Sequence, residues 1–181
     1  MTEIDFRILD FIREKLSNGF FDFVMPKLTA VGNVGFIWIF IAAAMVISRK
    51  YRRNGLELAA GLVGCALVGN FLLKNLIARQ RPCWINDTIE LLIAVPKDYS
   101  FPSGHTMASF AAAAIILHAN KKLGIAAYIL AAVIAFSRLY LYVHFPTDVL
   151  AGAVIGTLIG IAVCFFSKKI FPQKELHDAE K

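Results

Sequence analysis

The sequence predicts an all-α, polytopic membrane helical bundle of about five transmembrane helices preceded by an amphipathic N-terminal helix. Three observations carry this. The 181 residues are 58% hydrophobic and 18% charged, whereas a soluble domain carries about 25% charged residues. The apolar residues come in runs that approach the 20 or so needed to cross a bilayer core. The basic residues sit in short clusters between those runs, which suits a membrane protein and argues against nucleic acid as a partner. The length fits one membrane-embedded domain over 1–170 followed by a polar tail, 171–181.

Residues 4–16 read IDFRILDFIREKL. Ile4, Ile8, Phe11 and Ile12 share one helical face, extended by Leu16; Asp5, Arg7, Asp10, Arg13 and Glu14 take the other. Such a helix lies in the plane of the membrane interface. Its acidic residues, with Glu3, exclude a cleaved secretory signal, so the chain is expected to stay in the bilayer. Phe20 to Gly35, with Asp22, Pro26, Lys27 and several glycines, reads as a short helix or re-entrant entry. Spans are expected over about 31–48, 55–77, 104–119, 123–142 and 147–167, none alternating as a barrel strand would. Gly152, Gly156 and Gly160 form a small-residue stripe for close helix packing. The three cysteines, Cys65, Cys83 and Cys164, have neither disulfide nor zinc spacing.

Arg49, Lys50, Arg52 and Arg53, then Lys121 and Lys122, then Lys168 and Lys169 fall on one side of the predicted bundle. Short basic turns are usually cytoplasmic, which puts the C-terminus inside and the other face outside. That outer face also holds Arg7, Arg13, Lys15, Lys27, Arg79 and Lys97, so the asymmetry is moderate.

The outer side gathers three clusters with chemical potential. Lys74 and Arg81, in KNLIARQRP, lie seven residues apart, about two helical turns, and Pro82 is expected to end their helix. Alone they fit two cations reaching to headgroups. Phe101 to His105 reads FPSGH. Ser103 suits an N-cap, Gly104 lets backbone approach a ligand, and a helix N-terminus suits a phosphate. Alone this is an ordinary cap with a wet histidine. Ser137 to Asp148 reads SRLYLYVHFPTD. With helical geometry reaching back to His144, Asp148 would orient one ring nitrogen and leave the other free as nucleophile. Together, Lys74, Arg81 and Arg138 supply charge for phosphoryl oxygens.

KxxxxxxRP at 74–82, PSGH at 102–105 and SRxxxxxHxxxD at 137–148 resemble the type 2 phosphatidic acid phosphatase superfamily, in order and in spacing. The resemblance implies a lipid phosphatase with His144 as nucleophile, Asp148 as its orienting partner and His105 as general acid. It implies phosphate binding by Lys74, Arg81, Ser103, Gly104 and Arg138, with no metal and no cofactor. The substrate expected is a lipid phosphate entering from the bilayer, undecaprenyl pyrophosphate favoured, phosphatidylglycerophosphate or phosphatidic acid the alternatives. The chain differs from longer bacterial members in having no full span before the amphipathic helix. Three other readings compete. A transporter would carry polar residues through mid-span, whereas here they collect at one end. An inactive lipid-binding protein would lack one of the histidines. A vanadate-dependent peroxidase would be a larger, soluble relative.

Overall fold

The computed structural model describes residues 2–170, and the tail expected over 171–181 lies outside them. Helix α1 (Thr2–Leu16) packs against the bundle through Asp5, Leu9 and Ile12, one stripe at helical spacing. Ile4, Ile8 and Phe11 stay exposed. This divides the predicted apolar face and corrects the reading of Asp5, which is 2% exposed. The reason lies in the solvent: at a bilayer the outer face of a helix is itself apolar, so a carboxylate gains more by turning inward to a partner.

Asn18 caps α2 (Gly19–Val31) by accepting from Phe20 N and Phe21 N, both at 3.1 Å. The short helix or entry expected over Phe20 to Gly35 is α2 with the turn after it, and the span expected from about residue 31 starts later, at Phe36. Gly32 ends α2, a 3₁₀ turn follows over Asn33–Gly35, and α3 (Phe36–Ile47) leaves at 47° to α2. Gly35 sits at φ +71°, a left-handed conformation for which glycine carries no side-chain penalty.

From Arg52 the chain forms a rod: α4 (Arg52–Cys65), a π-helical stretch (Ala66–Leu73) and α5 (Lys74–Ile77). The wider π turns deliver Lys74, and Gly69 within them lies where a Cβ would come 2.0 Å from Met107 Cε. The helix ends at Ile77, earlier than expected. Ala78 is left-handed at φ 47°, and Pro82 opens rather than closes a helix, α6 (Pro82–Ile85).

Helix α7 (Gly104–Ala119) is central, packed against α3, α4, α8 (Lys121–Tyr140) and α9 (Pro146–Ile170). Its sixteen residues are short for a bilayer crossing. The predicted glycine stripe joins α9 to it: a Cβ at Gly152, Gly156 or Gly160 would meet Ser103 O, Met107 O or Ala111 O at 2.8, 2.1 or 2.7 Å. The rod from Arg52, α8 and α9 are each long and apolar enough to span, and bent α2–α3 passes the same test as a pair. Outward side chains such as Phe40, Phe71, Leu158 and Phe165 are exposed, as lipid contact requires.

The basic turns share one end of this bundle. Asn120 Nδ2 donates to Tyr51 Oη at 3.4 Å, and Arg53 Nε to Ser167 Oγ at 3.2 Å. The start of α7, the ends of α5 and α8 and the start of α9 converge at the other end, roofed by the loop between α6 and α7.

Candidate active site

A cavity of about 630 Å³ opens at that second end. Of the eight residues singled out from sequence, Lys74, Arg81, Gly104, His105, Arg138 and His144 line it, while Ser103 and Asp148 lie behind the wall, fully buried.

His144 occupies the turn between α8 and α9, so helical geometry does not reach back to it as expected. It is held instead from both sides. Arg81 Nη1 donates to Nε2 at 3.1 Å. A guanidinium only donates, so Nε2 carries a lone pair and the neutral ring keeps its proton on Nδ1. That nitrogen faces Ser100 Oγ at 3.4 Å and Asp148 Oδ2 at 3.7 Å. Burial depresses the basicity of the imidazole, and the cations Arg81, Arg138 and Lys74 add to this, holding its pKa well below the usual value.

Asp148 thus acts on the ring across a gap shared with Ser100, whose hydroxyl donates to Oδ2 at 2.5 Å. Phe145 N also donates to Oδ2, at 2.9 Å, and Arg79 Nη1 to Oδ1 at 2.6 Å. Three donors hold this buried carboxyl in place.

Lys74 and Arg81 do not share a helical face, because the helix stops between them. They meet on a third residue, Asp98 of the roofing loop. Lys74 Nζ pairs with its carboxylate, Arg81 Nη2 donates to Oδ1 at 2.7 Å, and Arg81 Nε donates to the Asp98 carbonyl at 2.7 Å. Burial raises the Asp98 pKa, but Lys74 and Arg81 outweigh it and hold the carboxyl down at about 2. Arg138, on the last turn of α8, donates through Nη1 to Thr29 Oγ1, and its buried Nε has no partner among the described residues.

Ser103 stands at the N-cap position of α7 without capping through its side chain; its hydroxyl accepts from Thr106 Oγ1 at 2.9 Å. Gly104 fits because a Cβ there would come within 3.2 Å of Asn70 Oδ1. His105 contacts Asn33 Oδ1 through Nε2 at 3.0 Å, and a Cβ on Gly32 would meet its ring at 2.9 Å. The break between α2 and α3 is therefore shaped around this imidazole.

Sequence reasoning missed Asp98, Ser100, Thr29, Asn33 and the role of Arg79. Arg79 alone had a signal, lying two residues before Arg81 in a motif already under scrutiny. Among the described residues no group of three or more His, Cys, Asp or Glu side chains is gathered as a metal-ligand set.

The chain is 31% identical over 160 residues to the undecaprenyl-diphosphatase BcrC of Bacillus subtilis, covering 88% of this chain and 81% of that one. It is 34% identical over 125 residues to an undecaprenyl-diphosphatase of Sulfolobus acidocaldarius, covering 68% of this chain but only 60% of that relative's length. The crystal structure of a transmembrane phosphatidylglycerolphosphate phosphatase from Bacillus subtilis superposes with a TM-score of 0.78 at 29% identity, over 96% of this chain and 89% of that one. The PAP2 superfamily model matches residues 54–171, more than half the chain and every segment that builds the cavity except the end of α2 and the break after it, so the protein belongs to the PAP2 superfamily.

Proposed function

We propose that this protein is an integral membrane lipid phosphatase that removes phosphate from undecaprenyl pyrophosphate through a phosphohistidine on His144. One observation carries the reading. His144, with Arg81 on its Nε2, lines a cavity also walled by Lys74 and Arg138, so the nucleophile and three cations share one space. The unpartnered Arg138 Nε fits an oxygen of a tetrahedral anion placed there.

In the first step Arg81 turns from Nε2 to a phosphoryl oxygen, the freed lone pair attacks phosphorus, the N–P bond forms and the bond to the leaving oxygen breaks. His105 gives that oxygen its proton. The three cations stabilise the equatorial oxygens, and Asp148 stabilises the positive charge on the ring. In the second step His105 takes a proton from water, water attacks phosphorus, the N–P bond breaks and inorganic phosphate leaves. The carboxylate of Asp98 stands on the cations that phosphate would use, so substrate binding displaces it from Lys74 and Arg81. Lys74, Arg81 and Arg138 meet the charge of the phosphoryl group without a metal, and turnover is expected to persist in chelator.

The basic turns at the opposite end support a site that faces the exterior or periplasm, with the C-terminus cytoplasmic. An outward site suits recycling of an exported isoprenoid pyrophosphate. Similarity to a phosphatidylglycerolphosphate phosphatase supports a second reading, in which the substrate is a glycerophospholipid phosphate. Phosphate release by purified protein in detergent with chelator, on undecaprenyl pyrophosphate, phosphatidylglycerophosphate and phosphatidic acid side by side, tests both. Fastest turnover of the isoprenoid supports the first; preference for either glycerolipid favours the second; no release from any of them overturns the phosphatase reading.

A further inference from the structure

Arg79 lies outside the cavity, yet it touches both halves of a network that ends on the proposed nucleophile. Its Nη1 donates to Asp148 Oδ1 at 2.6 Å and to Thr147 Oγ1 at 2.7 Å. Its Nη2 donates to Asp5 Oδ2 at 2.8 Å. Asp5 belongs to α1 and is 2% exposed. It also accepts from Thr147 N at 3.2 Å and Thr147 Oγ1 at 2.9 Å, which fastens α1 to the first turn of α9. The guanidinium stacks 4.1 Å from the Phe145 ring centroid, and Phe6 of α1 meets that ring edge-on at 5.1 Å. The Arg79 carbonyl accepts from Ser100 N at 2.8 Å, so the same residue anchors the hydroxyl that donates to Asp148 Oδ2.

We infer that Arg79 and Asp5 are positioning residues for catalysis: α1, through Asp5, shares Arg79 with Asp148 and so sets how firmly and with how much charge Asp148 supports His144. This rests on the phosphohistidine reading above. Arg79 partly neutralises Asp148, and Asp5 draws off part of that neutralisation. Loss of the Asp5 charge leaves Arg79 wholly to Asp148 and weakens its support of the ring. Loss of Arg79 removes the clamp on Asp148 altogether and leaves the Asp148 charge undiluted beside the imidazole. The other groups facing His144 are Arg81, Arg138, Lys74, His105 and Ser100, and neither change touches them directly. The apparent pKa of the acid limb of kcat/KM is therefore expected to rise in Arg79→Gln and not in Asp5→Asn.

The test is steady-state phosphate release from undecaprenyl pyrophosphate and phosphatidic acid by the full-length protein in detergent. It compares wild type, Asp5→Asn, Arg79→Lys, Arg79→Gln, the Asp5→Asn/Arg79→Gln double variant and His144→Ala, with melting followed in parallel. Asp5→Asn is isosteric and is expected to melt near wild type while kcat falls about tenfold, as loss of geometry at a reacting group does. KM is expected to stay within about twofold, since neither residue lines the cavity. Arg79→Lys is expected to recover part of what Arg79→Gln loses. In the Arg79→Gln background the Asp5→Asn effect is expected to vanish, because the carboxylate then has no guanidinium to share. Where Arg79→Gln yields no folded protein, Asp5→Asn in the Arg79→Lys background serves as the cycle. Unchanged kcat in Asp5→Asn, or equal Asp5→Asn effects in both backgrounds, overturns the inference while His144→Ala remains dead. Turnover by His144→Ala, or none by wild type on either lipid, takes down the phosphohistidine reading and this inference with it.

Discussion

At the end of the bundle marked by the basic turns, buried charge is matched locally. Glu57, 5% exposed, accepts from Arg53 Nε at 3.1 Å and Asn54 Nδ2 at 2.9 Å, with Cys164 Sγ at 3.9 Å. Its partners come from its own helix turn and from α9, and none borders the cavity. At the other end Lys74, Arg79, Arg81 and Arg138 face Asp5, Asp98 and Asp148, four cations to three carboxylates. The first arrangement is what an apolar solvent demands of any buried ion. The second carries an excess of one sign aimed at a cavity, the mark of a site awaiting an anion. Burial of charge alone does not separate the two; the imbalance does.

Four substitutions break or sharpen this contrast. His144→Ala should abolish turnover, a loss of about a thousandfold or more, with an unchanged melting temperature; phosphate release and acid-quenched trapping of the phosphoenzyme would both read it. Arg138→Ala removes a donor that makes no ion pair among the described residues and should lower kcat by about 10²–10³. Glu57→Gln should do the reverse. We expect a stability loss of about 1–3 kcal/mol in detergent melts, with kcat per folded molecule retained. The smallest effect belongs to Asp98→Asn. Freed of an internal competitor, the cations should bind inorganic phosphate or vanadate a few-fold more tightly, read as a lower inhibition constant. Because the Asp98 carboxyl is held near 2, it is ionised throughout the working range, and the gain should be the same at pH 5 and pH 8. A gain confined to low pH would argue against this placement.

Much of the site was legible because its residues recur at fixed separations on helix ends. Lys74, Arg81, Gly104, His105, Arg138 and His144 could be named from spacing and family resemblance, and they line one cavity. The reasons assigned to them fared less well. Lys74 and Arg81 were expected to converge by helical phase, yet the chain leaves the helix at Ala78 and an acidic residue joins them. Asp98 and Ser100 sit in a loop with no periodicity to fix their facing, so no count along the chain finds them. Asp5 was hidden by a rule that inverts at a bilayer. Beside Ile4 and Ile8 it read as the wet side of an amphipathic helix, whereas the apolar side meets lipid and the carboxylate meets protein. Each of the five expected spans finds a helix, in α3, the rod from Arg52, α7, α8 and α9, though composition does not reveal that α3 reaches spanning length only with α2, as a bent pair.

The π-helical stretch between Ala66 and Leu73 makes this protein sensitive to residue number rather than residue kind. Inserting one residue there would leave the rod with hydrophobic length to spare and no exposed polar group to mark the lesion. Each residue advances a helix by about 100°, so Lys74 would swing away from Asp98 and the cavity while the protein still inserted and packed. Length changes should therefore be silent in the turn after Ile47 and disabling in a segment that looks, by its letters, like featureless membrane filler.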